Sequence, residues 1–383
     1  MSNTLSSKFN AIEGELNLSL FERREMIHGL TLSILSDTNM LLLGAPGTGK
    51  SMLVTEWSKH IPDAKYFAWM LSKFSTPEEL FGPFSINALE NDKYLRVTAG
   101  KLPDAHFGFI DEIFKAGAAI LNSMLTVLNE RIFYNDGLPV KTPLISVIGA
   151  SNEIPEEDDG LDALYDRFQM KFLVRPIHEA GNFKSMLKHS NISCDTMLTL
   201  AEIQKAKKQV EQVEMNDAMI DLLLKIRSAV GTTDIQVTDR TYKTCEKLLK
   251  AEAWTNGRDS VDDQDFLFLQ HVLWSNTKQI RKAASIVLDA VNPEQNKITR
   301  IFEMAEDLAT KVLGEPKESK KRMQNGLEAA TKLKDAKVKI QKYVETMSMK
   351  KKDTAIAEGQ LETLDKLLQK IFQDVCGIDQ NFF

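Results

Sequence analysis

The stretch "LLLGAPGTGKSMLV", residues 41–54, decides how the rest of the chain is read. Three leucines run into the octet Gly44-Ala45-Pro46-Gly47-Thr48-Gly49-Lys50-Ser51, which satisfies GxxxxGK[ST]. Glycines at these places let the backbone curl until successive N–H groups point inward at phosphate oxygens. A helix starting where the octet ends, continuing through Met52, adds the partial positive charge of its N-terminus. Lys50 is then placed to reach the β- and γ-phosphates, and the Ser51 hydroxyl to ligate Mg²⁺.

Working outward, "NMLLLG" before the octet is compact and apolar, the pattern of a buried strand, and "SMLVTEWSKH" after it has helical spacing. "KYFAWM", "HFGFIDE" and "PLISVIGASN" are three more strand candidates. "AGAAILNSMLTVLNER" between the last two has apolar positions at helical intervals. Strands alternating with helices predict an α/β core, with a parallel sheet and helices on both faces. Two insertions are expected as hairpins: "RIFYNDGLPVKT", with Asp136-Gly137 between β-prone runs, and, on a weaker signal, "DKYLRVTAGKLPD".

From about residue 183 strand signals nearly vanish. "TLAEIQKAKKQVEQVE", "NDAMIDLLLKIRSAVG", "DRTYKTCEKLLKAEAWTNG" and "VDDQDFLFLQHVLW" predict four helices of a small all-α domain. The tail carries three amphipathic stripes, on Ile298–Val312, Leu333–Met347 and Leu361–Ile371, broken at "LGEPKES" and "MKKKDT". These predict a three-helix bundle or coiled coil. The expected domains are therefore 1–182, 183–276 and 277–383.

The 383 residues carry a net charge of −6, so the chain has no global electrostatic footprint for nucleic acid or an anionic membrane. No apolar run approaches a membrane span, and "MSNTLSSKFN" has no apolar h-region. Cys194, Cys245 and Cys376 have no zinc or redox spacing, and the six histidines form no HExxH. Incidental thiols in a reducing cytoplasm are the expectation.

The octet needs a carboxylate to complete a metal site. "FGFIDE" places Asp111 at the C-terminal end of a predicted buried strand, where open α/β sheets present ligand-binding groups. Asp111 would hold Mg²⁺ and Glu112 would polarise an attacking water, although an Asp-Glu pair also caps helices. Asn152 ends the next strand, as a water- or phosphate-orienting amide or as an ordinary turn residue. Arg167, in "LYDRFQ", fits either a surface ion pair with Asp166 or an arginine finger.

Together these stretches resemble the MoxR branch of AAA+ ATPases, most closely the RavA (regulatory ATPase variant A) group. The resemblance runs over about residues 15–275 through "LFERREMIHGL", the octet, "STPEELFGPFSINAL", "FIDEIFKAGAAILNSMLTVLNER", "GASNEIPE", "ALYDRF", "QVTDRTYKTCEKLL" and "WTNGRDSVDDQDF". It implies a P-loop AAA+ core followed by an all-α lid. It implies ATP/ADP and Mg²⁺, sensor 1 at Asn152, an arginine finger at Arg167 acting on the neighbouring subunit, and sensor 2 at Arg240. It further implies a homo-oligomeric ring, usually a hexamer, a partner with a von Willebrand factor A domain, and a remodelled client protein. The two insertions resemble the helix-2 insert and the pre-sensor-1 insert. The chain departs from the RavA pattern after residue 275, where only helices are visible and no β-rich module. A nucleic-acid motor, a nucleotide-gated scaffold and a small-molecule kinase are the other uses of the same P-loop.

Overall fold

The computed structural model describes residues 4–153, 165–188, 194–316, 321–349 and 354–376. Parts of "GASNEIPE", "ALYDRF" and both tail breaks lie outside these residues. Contacts divide the chain into two compact units, Met1–Ala283 and Ala284–Phe383.

Among the described residues the first unit holds seven strands: β1 (Met40–Leu43), β2 (Tyr66–Met70), β3 (Phe107–Asp111), β4 (Ile132–Asn135), β5 (Leu138–Lys141), β6 (Ser146–Ser151) and β7 (Met170–Leu173). Five form one sheet in the order β2-β3-β6-β1-β7, with every neighbouring pair parallel. Every residue of β1 and β6 is buried. Successive side chains of a strand point to opposite faces, so both faces of the sheet are covered, as parallel sheets require. The strand β7 was not evident in the sequence; Met170 and Phe172 of "MKFL" are buried where it pairs with β1.

Helices α1 (Thr4–Asn17), α2 (Arg24–Ser36) and α3 (Lys50–Ser58) precede the short α4 (Pro77–Phe81) and α5 (Ile86–Leu89); α6 (Ala118–Glu130) follows β3. The β4–β5 hairpin turns through Asp136 (φ 54°) and Gly137 (φ 74°), the paired left-handed conformations that an Asp-Gly turn of this length selects. The second expected hairpin is absent. Only one antiparallel bridge forms there, Phe84 to Arg96, around α5. The reason is a competing partner. The backbone N–H groups of Tyr94 and Arg96 donate to Asp136 Oδ1 (2.9 Å) and Asn135 Oδ1 (2.7 Å) in the other hairpin's turn.

The helices α7 (Ala180–Lys188), α8 (Leu200–Glu211), α9 (Asp217–Gly231) and α10 (Asp239–Thr255) follow. The fourth expected lid helix, Asp263–His271, is 3₁₀. Its buried Phe266 and Leu269, with Val272 just beyond, recur every three residues, which suits three residues per turn. In the second unit, α12 (Pro293–Leu313), α13 (Arg322–Met349) and α14 (Ala355–Lys370) follow α11 (Ile280–Val291), which spans the division. Asn325 bonds back to Glu315, and Gly326 lies against Val375 and Cys376, so the three long helices run up, down and up around Ile298, Leu333, Ile340 and Leu364.

One half-buried cation pins the N-terminal helices to α10. His28 on α2 bonds Glu13 of α1 through Nδ1 (3.0 Å) and Glu252 of α10 through Nε2 (2.6 Å). Burial alone would push this imidazole down, but the two carboxylates overcome it and hold His28 up to about 10. Because the folded value lies above the unfolded one, this stabilisation is complete below pH 6.5 and is lost as pH rises through 10. The melting-temperature gap between wild type and His28→Gln should therefore shrink steadily from pH 6.5 to 10. A gap that does not vary with pH in thermal scans would remove the charged imidazole from this role.

Candidate active site

The site is built on the C-terminal end of β1. Leu43 passes into Gly44, whose N–H donates to Ser151 O (3.0 Å) and so extends the ladder toward β6. On the other side Val174 donates to Leu43 O (2.6 Å). A Cβ at position 44 would lie 2.2 Å from Val174 O, so only glycine fits there. The loop then turns through Gly47 (φ 77°) and Gly49 (φ 84°), left-handed values that glycine adopts without steric cost. Gly49 is the N-cap of α3, which begins at Lys50. Ser51 and Met52 are exposed in its first turn.

Lys50 is 7% exposed, and its ammonium donates to Gly44 O (2.6 Å), Ala45 O (3.0 Å) and Asn152 Oδ1 (2.7 Å). Burial pushes Lys50 below the usual lysine range, against the opposing charges of Asp111 and Glu112. The Asn152 Nδ2 group in turn donates to Glu112 Oε1. Glu112 is itself buried in the left-handed conformation (φ 52°), with its N–H on Asp111 Oδ1 (2.9 Å) and its Oε2 3.3 Å from Lys115 Nζ. A non-glycine residue held at such a φ is strained, and strain of this kind concentrates at functional sites. The Ser151 hydroxyl bonds both the carbonyl (2.6 Å) and the N–H (3.1 Å) of Glu153, closing the turn that carries Asn152.

Lys50, Asp111, Glu112 and Asn152 thus converge at one end of the sheet. Arg167 and Arg240 are elsewhere. The Arg167 carbonyl accepts from Asn39 Nδ2 (3.1 Å), immediately before β1. With a rise of about 3.3 Å per residue, the length of β1 separates it from the P-loop. Its guanidinium pairs with Asp166 (3.0 Å), one of the two arrangements the sequence left open. Arg240 Nη1 lies 4.0 Å from the same carboxylate.

Two site residues were not evident in the sequence. Arg23, 7% exposed, donates from one Nη2 to Thr48 O (3.0 Å) in the P-loop and to Arg175 O (2.7 Å) beyond β7. Glu22, at φ 58°, accepts from the N–H groups of His178 and Glu179 (both 2.9 Å) just before α7. The pair therefore fastens the cradle to the segment that leaves the sheet. A charged dipeptide before a helix carries no sequence signal for this.

A glycine cradle at a helix N-terminus, a buried lysine and two adjacent carboxylates suit a nucleoside triphosphate with a divalent cation. Comparison with known proteins gives the family. A profile described as "MoxR domain in the MoxR-vWA-beta-propeller ternary systems" matches residues 7–215, and an AAA lid domain matches 218–287. The chain belongs to the MoxR family of AAA+ ATPases. Two uncharacterized proteins of Methanocaldococcus jannaschii are similar to it. One is 36% identical over 79% of both chains; the other is 37% identical over 71% of this chain and 73% of its own. The crystal structure of a "putative ATPase" from Cytophaga hutchinsonii shares the fold, with a TM-score of 0.61 at 17% identity, covering 76% of this chain and 96% of that one. Among the described residues no helix is long and apolar enough to cross a membrane.

Within this MoxR fold the Arg23 bonds to the P-loop have a measurable consequence. A buried hydrogen bond from a charged donor contributes about 1.5–3 kcal/mol, so Arg23→Ala should weaken ATP binding roughly tenfold or more. Titration with a fluorescent nucleotide checks this; an unchanged Kd would show that the cradle holds its shape without Arg23.

Proposed function

We propose that this MoxR-type protein hydrolyses ATP at a site shared between two subunits of a ring. The observation that carries the reading is the chain of contacts Lys50–Asn152–Glu112 beside the P-loop. The backbone N–H groups of Gly47, Gly49 and Lys50 and the Lys50 ammonium take the β- and γ-phosphates. Ser51 and Asp111 hold Mg²⁺, which neutralises phosphate charge when bound. A Cβ built on Gly47 or Gly49 would meet nothing within 4 Å, so the cradle has room for these groups. Glu112 takes a proton from the attacking water, and Asn152 orients that water against the γ-phosphate.

Arg167 and Arg240 complete the site of the neighbouring chain, because their anchorage at the other end of β1 suits an interface better than their own P-loop. This requires a homo-oligomeric ring, with a hexamer as the family's usual size. The matched family is described in systems with vWA and β-propeller proteins. We extend that to a vWA-domain partner here, with ATP turnover in the cytoplasm driving the remodelling of a client protein.

Glu112→Gln should lower steady-state phosphate release about a hundredfold or more while ATP still binds. Wild-type turnover in this variant would sink the mechanism. The same variant, loaded with ATP, should retain a vWA-domain protein in a pull-down. For the shared site, mixing Arg167→Ala with Lys50→Ala subunits should recover part of the activity that each lacks alone. No recovery at any ratio would rule out a finger acting between chains.

A further inference from the structure

We infer that Asp166 is a positioning residue that holds Arg167 and Arg240 of one chain as a single cationic unit for the neighbouring subunit's nucleotide. The inference rests on the shared-site reading above. It goes further by assigning the device that sets the geometry of the two arginines.

Asp166 is the point where three elements meet. Its Oδ2 accepts from Arg167 Nη1 (3.0 Å) and lies 4.0 Å from Arg240 Nη1. Its Oδ1 accepts from the Thr238 hydroxyl (3.3 Å). Thr238 is also the N-cap of α10, taking the Thr241 N–H (3.3 Å), and Arg240 sits in that first turn. The carboxylate therefore registers the Arg167 side chain against the start of the lid helix. Asn39 independently registers the Arg167 backbone against β1. Arg167 is thus fixed both to the sheet and to the lid.

The charge balance shows why a carboxylate is needed. The two guanidinium groups repel each other, and Arg240 is among the influences that push Arg167 below the usual arginine range, after burial. A third cation, Lys171 on β7, lies over the rings of Tyr165 (5.3 Å) and Trp274 (5.5 Å) and is held toward its charged form by the charge of Asp166. Burial pushes it down to about 8, which leaves it charged at neutral pH. Two guanidinium groups on one carboxylate leave a surplus of one positive charge. Asp166 thus keeps the arginines together without cancelling their attraction for a polyanion. The Arg167 side chain stays 16% exposed beside this carboxylate. A guanidinium whose plane is already fixed loses less entropy when it meets phosphate oxygens.

The variant that tests this is Asp166→Asn, which keeps the shape and removes the charge. It should lower kcat about tenfold or more, short of the 10³–10⁵ that a missing finger costs. The Kd for ATP should change less than about twofold, because Lys50 and the P-loop that hold the ground-state phosphates are untouched and the positioned arginines act on charge that develops in the transition state. Mixed with Lys50→Ala subunits, Asp166→Asn should regain activity as Arg167→Ala does, since the partner supplies an intact Asp166–Arg167–Arg240 unit. If Arg167→Ala recovers in the mixture and Asp166→Asn does not, Asp166 acts on its own chain and the inference is overturned. A wild-type kcat for Asp166→Asn overturns it as well. If Arg167→Ala itself fails to recover, the shared-site reading falls and takes this inference with it. Should Asp166→Asn not fold, Asp166→Glu displaces the charge by one methylene. It should show the same lowered kcat and recovery in the mixture, and a wild-type kcat there overturns the positioning role.

Discussion

Val174 and Gly44 approach so closely that the carbonyl of one occupies the place of a Cβ on the other, 2.2 Å from where that atom would be. This contact sets the end of β1 between β6 and β7. From it follows the exit of the P-loop, because Gly44 is both the last point of the sheet ladder and the first residue of the phosphate cradle. A side chain at this position would have to displace a backbone carbonyl next to an edge strand, and the cradle would shift with it. The later glycines at 47 and 49 shape the loop, but Gly44 aims it.

With β1 fixed, its two ends acquire different chemistry. The C-terminal end gathers Lys50, Glu112 and Asn152. The N-terminal end, through Asn39, gathers the backbone of Arg167 and the half-buried guanidinium of Arg131 at the base of the β4–β5 hairpin. A single short strand thus links the cradle to the backbone of Arg167 and to the base of the β4–β5 hairpin. Asn39 is central to that link, because its one side chain also accepts the Val147 N–H of β6.

Much of this was legible in the sequence because it rests on local patterns. β1, β2, β3 and β6 are short apolar runs ending in polar or glycine residues, and the Asp136-Gly137 turn needs only two residues to declare itself. Lys50, Asp111 and Glu112 follow from the P-loop and the strand end beside it. What was not legible depends on contacts distant in sequence. "YLRV" has the composition of a strand, yet beyond its short bridge to Pro83–Ser85 the N–H groups of Tyr94 and Arg96 go to Asp136 and Asn135, about forty residues on. β7 is four residues of mixed polarity whose strand character comes from pairing with β1. Arg23 looks like any surface arginine before a helix until Thr48 and Arg175 meet it. The ion pair of Arg167 with Asp166 was visible, but the arrival of Arg240 and Thr238 at the same carboxylate required the fold.

Asn152 shows how electrostatics selects a residue type within such a frame. Its oxygen faces the Lys50 ammonium and its nitrogen faces the Glu112 carboxylate. Turned over, the amide would set a donor against a cation and an acceptor against an anion, so the two neighbours fix its orientation. An aspartate here would keep the bond to Lys50 but confront Glu112 with a second carboxylate, and like charges at that distance force one of them to protonate. A neutral amide of this length is therefore the side chain that can join the Lys50 ammonium to the Glu112 carboxylate without setting a second negative charge beside it.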